Sequence, residues 1–139
     1  MSALVDVCVL VAAHRPNHPH HAACLAVLDG ALMQGFAWCA HTRNGFVRLV
    51  THERVFPNPT PLAVALATWE SWIARPESRP LLDSADADRR WAELCASRGA
   101  RGNEVYDLHL AALALSAGLP LCSLDQDFQR IPGLHSYAP

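Results

Sequence analysis

A chain of 139 residues with 51% hydrophobic side chains is long enough to bury one sizeable core and too apolar to be disordered. Its formal net charge of −2 argues against a strongly basic nucleic-acid coat, but leaves room for phosphate chemistry through a locally held cation. The apolar runs break before roughly 18 residues, and the first carries Asp6 with no basic lead. Neither a membrane span nor a signal peptide is therefore expected, and a cytoplasmic location is the default.

In chain order, residues 3–13 alternate and then run apolar with valines, which predicts a buried strand ending near Asp6 to Val11. The segment HRPNHPHH, with His14, His18, His20 and His21, reads as a polar loop because Pro16 and Pro19 break any helical ligand spacing. HAACLAVLDGALMQ has helical spacing and stops near Gly35, and FAWCA follows as a short strand. TRNGFVRLVT reads as a helix interrupted by Gly45, with Phe46, Leu49 and Val50 on one face.

Thr60 suits an N-cap and Pro61 a first helical position, so a helix bearing Trp69 and Trp72 is expected over 61–74. RPLLD reads as a strand and ADADRRWAELCASRG as a helix ending at Gly99. Asn103 is the expected cap of a helix over about 104–117, closed by Gly118. LPLCSLD is then a strand into a turn, and HSYA an edge strand. Cys8, Cys24, Cys39, Cys95 and Cys122 are odd in number, lack C-x-x-C spacing and sit among apolar neighbours, as reduced, buried thiols do.

Strands alternating with helices call for an α/β fold whose mostly parallel sheet is covered on both faces, a three-layer arrangement within a single domain over 1–139. Ligands of such sheets collect beyond the carboxyl ends of the strands. Four aspartates stand at the edges of apolar segments there: Asp6 in LVDVCVLVAA, Asp107 in NEVYDLHLAALAL, and Asp125 and Asp127 in LCSLDQDF. Each has a bland alternative. Asp107 near a helix start is favoured by the helix dipole, and Asp125 and Asp127 suit a turn. Asp6 is harder to explain, since a strand flanked by Val5, Val7 and Val9 has little structural use for a carboxylate. Brought together, such carboxylates repel unless a metal neutralises them, which points to a divalent cation and phosphate chemistry.

The opening LVDVCVLVAA, the internal NGFVRLVT, the segment RGNEVYDLHLAALAL, and SLDQDF followed by IPGL together resemble the PIN-domain ribonucleases, and within them the VapC-type toxins of toxin–antitoxin pairs. The resemblance implies a PIN-like fold, with Asp6, Asp107 and Asp125 as the acidic metal ligands and Asp127 as a neighbouring acid. The second acid of that family, usually a glutamate, falls around residues 41–48, where this chain has none. Asn44 takes its place, as in a toxin subgroup with an N-G-F motif. An amide brings no charge and cannot act as a base, so one tightly held Mg²⁺ or Mn²⁺ is expected, any second ion arriving with substrate.

What the resemblance implies is a metal-dependent endoribonuclease toxin that hydrolyses RNA phosphodiesters, with Asp127 or Asn44 orienting water. It further implies a homodimer and a small VapB-like antitoxin whose arginine enters the acidic pocket. Arg43, Arg48, Arg101 and Arg130 are candidate phosphate contacts. His109 lies on a different side of its helix from Asp107 and is expected to be packed or hydrogen-bonded. Two other readings stand beside this one: a nuclease of the same fold with another role on DNA or RNA, and a domain that has lost turnover and only binds nucleic acid or a partner.

Overall fold

The computed structural model describes residues 2–139. Strand β1 (Ala3–Val5) is buried throughout, and Asp6 turns the chain directly into helix α1 (Val7–His14). The Asp6 Oδ1 accepts the Val7 N–H at 2.7 Å, meeting one of the donors that a helix start leaves unpaired. The strand expected over 3–13 is thereby corrected to three residues of strand followed by a helix. Alternating Val5, Val7, Val9 and Val11 imitate a strand, but Val7 to Ala13 is buried on nearly every side except at Cys8, and an all-round apolar helix shows no amphipathic period. Asp6 also has a structural use after all, as the cap of α1.

Helix α2 (His21–Gln34) runs to Gly35, and β2 (Phe36–Trp38) follows. Helix α3 (Ala40–Val50) passes through Gly45 without the expected interruption. A Cβ at Gly45 would lie 2.6 Å from the Val7 Cγ2, so the missing side chain is what lets α3 close on the start of α1. Helix α4 (Leu62–Ile73) begins at Pro61, not at a Thr60 cap. The Thr60 hydroxyl is engaged elsewhere, hydrogen-bonded to His14 Nε2 at 3.0 Å and accepting from Arg15 Nη1 at 3.2 Å. Trp69 and Trp72 are core residues, packed edge-on against Phe36.

Strand β3 (Ser78–Pro80) starts one residue before the RPLLD segment and ends inside it, because pairing with β2 sets Phe36 opposite Ser78 and Trp38 opposite Pro80. Helix α5 (Ala85–Arg98) is capped by the Ser84 hydroxyl and ends at Gly99. Helix α6 (Asn103–Ala117) begins at Gly102, so Asn103 is its first residue and not its cap. Strand β4 (Leu121–Cys122), a 3-10 turn (Gln126–Arg130) and the edge strand β5 (Ser136–Tyr137) complete the chain.

The five strands lie in the order β3-β2-β1-β4-β5, and every pair is parallel. Alternate residues of each central strand feed two separate cores. Val5, Phe36 and Cys122 face helices α1 to α4, while Leu4, Ala37 and Leu121 face α5 and α6. The fold is the three-layer α/β arrangement expected. Its strand order reverses between β1 and β4, and the crevice beyond their carboxyl ends is where such sheets receive ligands. Among the described residues, no helix is long and apolar enough to cross a membrane.

Candidate active site

The chain leaves β1 through Asp6 and β4 through Ser123, and the parallel pairing of these neighbours brings both to one edge. The Ser123 hydroxyl donates to Asp6 Oδ2 at 2.6 Å and accepts the Asp125 N–H at 2.9 Å. The Asp125 Oδ1 in turn accepts the Asp127 N–H at 2.9 Å and caps the 3-10 turn, whose Phe128 is buried in the α5–α6 core. The turn reading of this pair and a functional one therefore coexist. Cys8, one residue inside α1, adds a weak thiol contact to Asp6 Oδ2 at 3.4 Å and takes the Leu124 N–H on its sulfur at 3.5 Å. Burial first, and then the Asp6 charge, push the Cys8 thiol up to about 12, so it stays protonated as a donor.

Asp107 lies one turn inside α6. Its carboxyl is pushed up to about 6, first by burial and then by the negative charges of Asp6, Asp125, Asp127 and Glu104. That shift reports the convergence directly, since charges at this edge from β1, from the turn after β4 and from α6 are all felt at one carboxylate. A cavity of about 210 Å³ collects Glu104, Asp107, Asp125 and Asp127 on its wall, together with Leu108, Phe128, Ile131 and Arg98. Asp6 is off that wall, yet its charge acts on Asp107 more strongly than any other.

Among the described residues, no three His, Cys, Asp or Glu side chains already form a closed metal cage. Carboxylates that repel one another do not draw together without a cation between them. The donor set still fits a hard divalent ion, because Mg²⁺ and Mn²⁺ take carboxylate oxygens and Mg²⁺ keeps several waters, needing few protein ligands. The observation behind that fit is the gathering of Glu104, Asp107, Asp125 and Asp127 on one cavity wall, where burial and the neighbouring acids raise the Asp107 carboxyl.

Asn44 sits on α3, exposed, with its Oδ1 accepting from Arg43 Nε at 3.0 Å, and it is not on the cavity wall. Arg48, Arg101 and Arg130 are exposed and are also off that wall. The arginine that lines the cavity is Arg98, the last residue of α5, whose buried Nε has no hydrogen-bond partner. His109 Nε2 donates to Asp83 Oδ1 at 2.6 Å, the hydrogen-bonded state expected of it. The loop expected over HRPNHPHH is shorter than that segment, since His14 ends α1 and His21 opens α2; His21 bonds the Ala12 carbonyl and His18 accepts from the His20 N–H.

Sequence reasoning missed Glu104, Ser123, Cys8 and Arg98. For three of them a signal was present: Glu104 precedes Asp107 by three residues on one helical face, Ser123 precedes Asp125 by two, and Cys8 follows Asp6 by two. Arg98 had none, since only tertiary packing of α5 on α6 carries it to the cavity.

Comparison with known proteins bears on the family and the fold. The PIN-domain family profile matches residues 3–134. The chain is 36% identical to ribonuclease VapC37 of Mycobacterium tuberculosis, over 94% of this chain and 92% of that protein. It is 32% identical to ribonuclease VapC31 of the same species, over 98% and 97%. Among solved structures, VapC20 of M. tuberculosis, a toxin described as cleaving the sarcin–ricin loop, superposes with a TM-score of 0.73 at 19% identity, covering 99% of this chain and all of that one. VapBC2 from Rickettsia felis, bound to a DNA fragment from its promoter, gives 0.70 at 18% identity, covering 99% and 98%.

Proposed function

Because the chain belongs to the PIN-domain family, we propose that it is a divalent-metal-dependent endoribonuclease, the toxin of a toxin–antitoxin pair. The observation that carries the proposal is the convergence of the acids: Asp107, Asp125, Asp127 and Glu104 line one cavity, and Ser123 ties Asp6 to the Asp125 backbone beside it. The names of the relatives, ribonucleases VapC37 and VapC31, support the substrate class.

In this reading Asp6, Asp107 and Asp125 hold one Mg²⁺ or Mn²⁺, which supplies a water of lowered pKa and charge to stabilise the phosphorane-like transition state. The residues of the chain do the positioning. Ser123 fixes the Asp6 carboxylate through its 2.6 Å hydrogen bond and holds the Asp125 backbone through the 2.9 Å one. Asp127, on the cavity wall and away from the Ser123 network, orients the attacking water. Arg98, the arginine that lines that wall, takes a non-bridging phosphate oxygen. Asn44 acts from outside the cavity and brings no charge to the ion.

The partner in this proposal is a small VapB-like antitoxin, in keeping with the VapBC assemblies that share the fold. An inhibitory arginine from it would supply to the carboxylates the positive charge that the metal otherwise brings. A homodimer in the cytoplasm completes the proposal.

The test is cleavage of total RNA by the purified protein in Mg²⁺ or Mn²⁺, beside Asp6→Asn and Asp107→Asn. Discrete fragments from the wild type alone, abolished by a chelator, are expected. No fragmentation by any of the three would favour a domain that binds without turnover, and equal fragmentation by all three would show that Asp6 and Asp107 do not carry the cleavage.

A further inference from the structure

Two rings stand at the mouth of this site that the chemistry above does not use. Tyr106 immediately precedes Asp107 in α6 and is 63% exposed, the most exposed aromatic side chain among the large hydrophobics of the described surface. His41, the second residue of α3, is half-buried and lies close enough to Asp6 to feel its charge. The two rings face each other across the gap between α3 and α6, with centroids 6.3 Å apart and planes tilted by 32°. One ring is thus tied to Asp107 and the other to Asp6, from the two sides of the switch point in the sheet.

A tyrosine left bare beside a ring of carboxylates gains nothing from anions, and neutral rings do not recognise phosphate. What an exposed aromatic ring such as Tyr106 does recognise is another flat ring. Aromatic faces accept any base of a single strand, and only an unpaired base can present its face. His109, one turn further along α6, is bonded to Asp83 at 2.6 Å and stands near His41.

Resting on the ribonuclease reading, we propose that Tyr106 and His41 form a nucleobase-binding subsite, in which an unpaired base next to the scissile phosphate stacks on the Tyr106 ring. The subsite positions the strand so that one phosphate meets the acids. Selectivity of this kind is sequence-tolerant, and it excludes a continuous duplex.

The experiment uses a short single-stranded RNA that the wild type cuts, and the same RNA with an abasic ribose on either side of the cut. Tyr106→Phe should match the wild type, while Tyr106→Ala should lose about ten- to a hundredfold in kcat/KM, mostly through KM. An abasic ribose on one side of the cut should cost the wild type the same factor and leave Tyr106→Ala unaffected. Equal kcat/KM for Tyr106→Ala and the wild type, or a Tyr106 effect that persists on both abasic RNAs, overturns the subsite. Binding of the same RNA to Asp107→Asn, with and without Tyr106→Ala, separates the two readings. If the wild type cuts no RNA, the ribonuclease reading fails, and the binding arm alone decides the subsite. Weaker binding on loss of the ring supports it, and unchanged binding or no binding defeats it. A Tyr106→Ala protein that changes oligomeric state instead marks the ring as a contact between copies, which also overturns it.

Discussion

The Ser123 hydroxyl donates to Asp6 Oδ2 at 2.6 Å and joins the carboxyl ends of β1 and β4 across a sequence separation of 117 residues. The same oxygen accepts the Asp125 N–H, so one buried side chain positions two acids that no local sequence relates. Ser123→Ala leaves that N–H without its partner and Asp6 held only by the Val7 N–H and the weak Cys8 thiol contact. We expect a stability loss of about 1–2 kcal/mol by thermal unfolding and roughly a tenfold loss of cleavage, with Ser123→Thr restoring most of both. Full activity in Ser123→Ala would show that Asp6 needs no such tether.

Asp107 binds its proton more tightly folded than unfolded, since its value of about 6 lies above that of an ordinary carboxyl. Its contribution to stability is therefore complete below the unfolded value and is lost as pH rises through about 6. In metal-free buffer at about pH 7.5, Asp107→Asn removes the repulsion and should stabilise the fold by roughly 1 kcal/mol after solvent screening of a half-exposed group, about 3 °C in Tm. The same substitution should lower cleavage at least about a hundredfold. A lower Tm for Asp107→Asn would contradict the electrostatic account.

Much of the fold was legible, because long helices such as α2, α5 and α6 carry their glycine stops in the sequence, at Gly35, Gly99 and Gly118. The first helix was not. Its apolar residues surround it, so the valine alternation from Val5 to Val11 outweighed the single capping cue, Asp6. The acids of the site were legible one by one, but their convergence depends on strand order, and Arg98 and Tyr106 depend on how α5 and α6 pack. Thr60 and Asn103 looked like caps because residue type alone does not reveal that Thr60 is already bonded to α1.

Gly45→Ala should destabilise the protein by about 1–3 kcal/mol, although alanine is the better helix former by about 0.5–1 kcal/mol. The new Cβ would meet the stiff, buried Val7 side chain at 2.6 Å, and the strain falls one residue from Asp6. Denaturant unfolding of Gly45→Ala and of Gly45→Ala with Val7→Ala checks this, the second change relieving the clash and recovering cleavage. An undisturbed single variant would mean that α3 does not press on α1.

Asn44→Ala should reduce cleavage only a few-fold, against at least about a hundredfold for Asp6→Asn, because its amide is exposed and paired with Arg43. Arg98→Ala should raise KM with little change in metal affinity, and Arg98→Lys should rescue it in part. Steady-state kinetics on one RNA at several metal concentrations separates these effects. An Asn44→Ala enzyme as dead as Asp6→Asn would return the amide to the centre of the site.

The most direct measurement is calorimetric titration of Mn²⁺ into the free wild-type protein and into Asp107→Asn. The expected result is one site in the wild type, weakening as pH falls below about 6 where Asp107 takes up its proton, and no site in the variant. Two tight sites in the wild type, or binding that survives loss of the Asp107 carboxylate, would contradict a single metal shared by Asp6, Asp107 and Asp125.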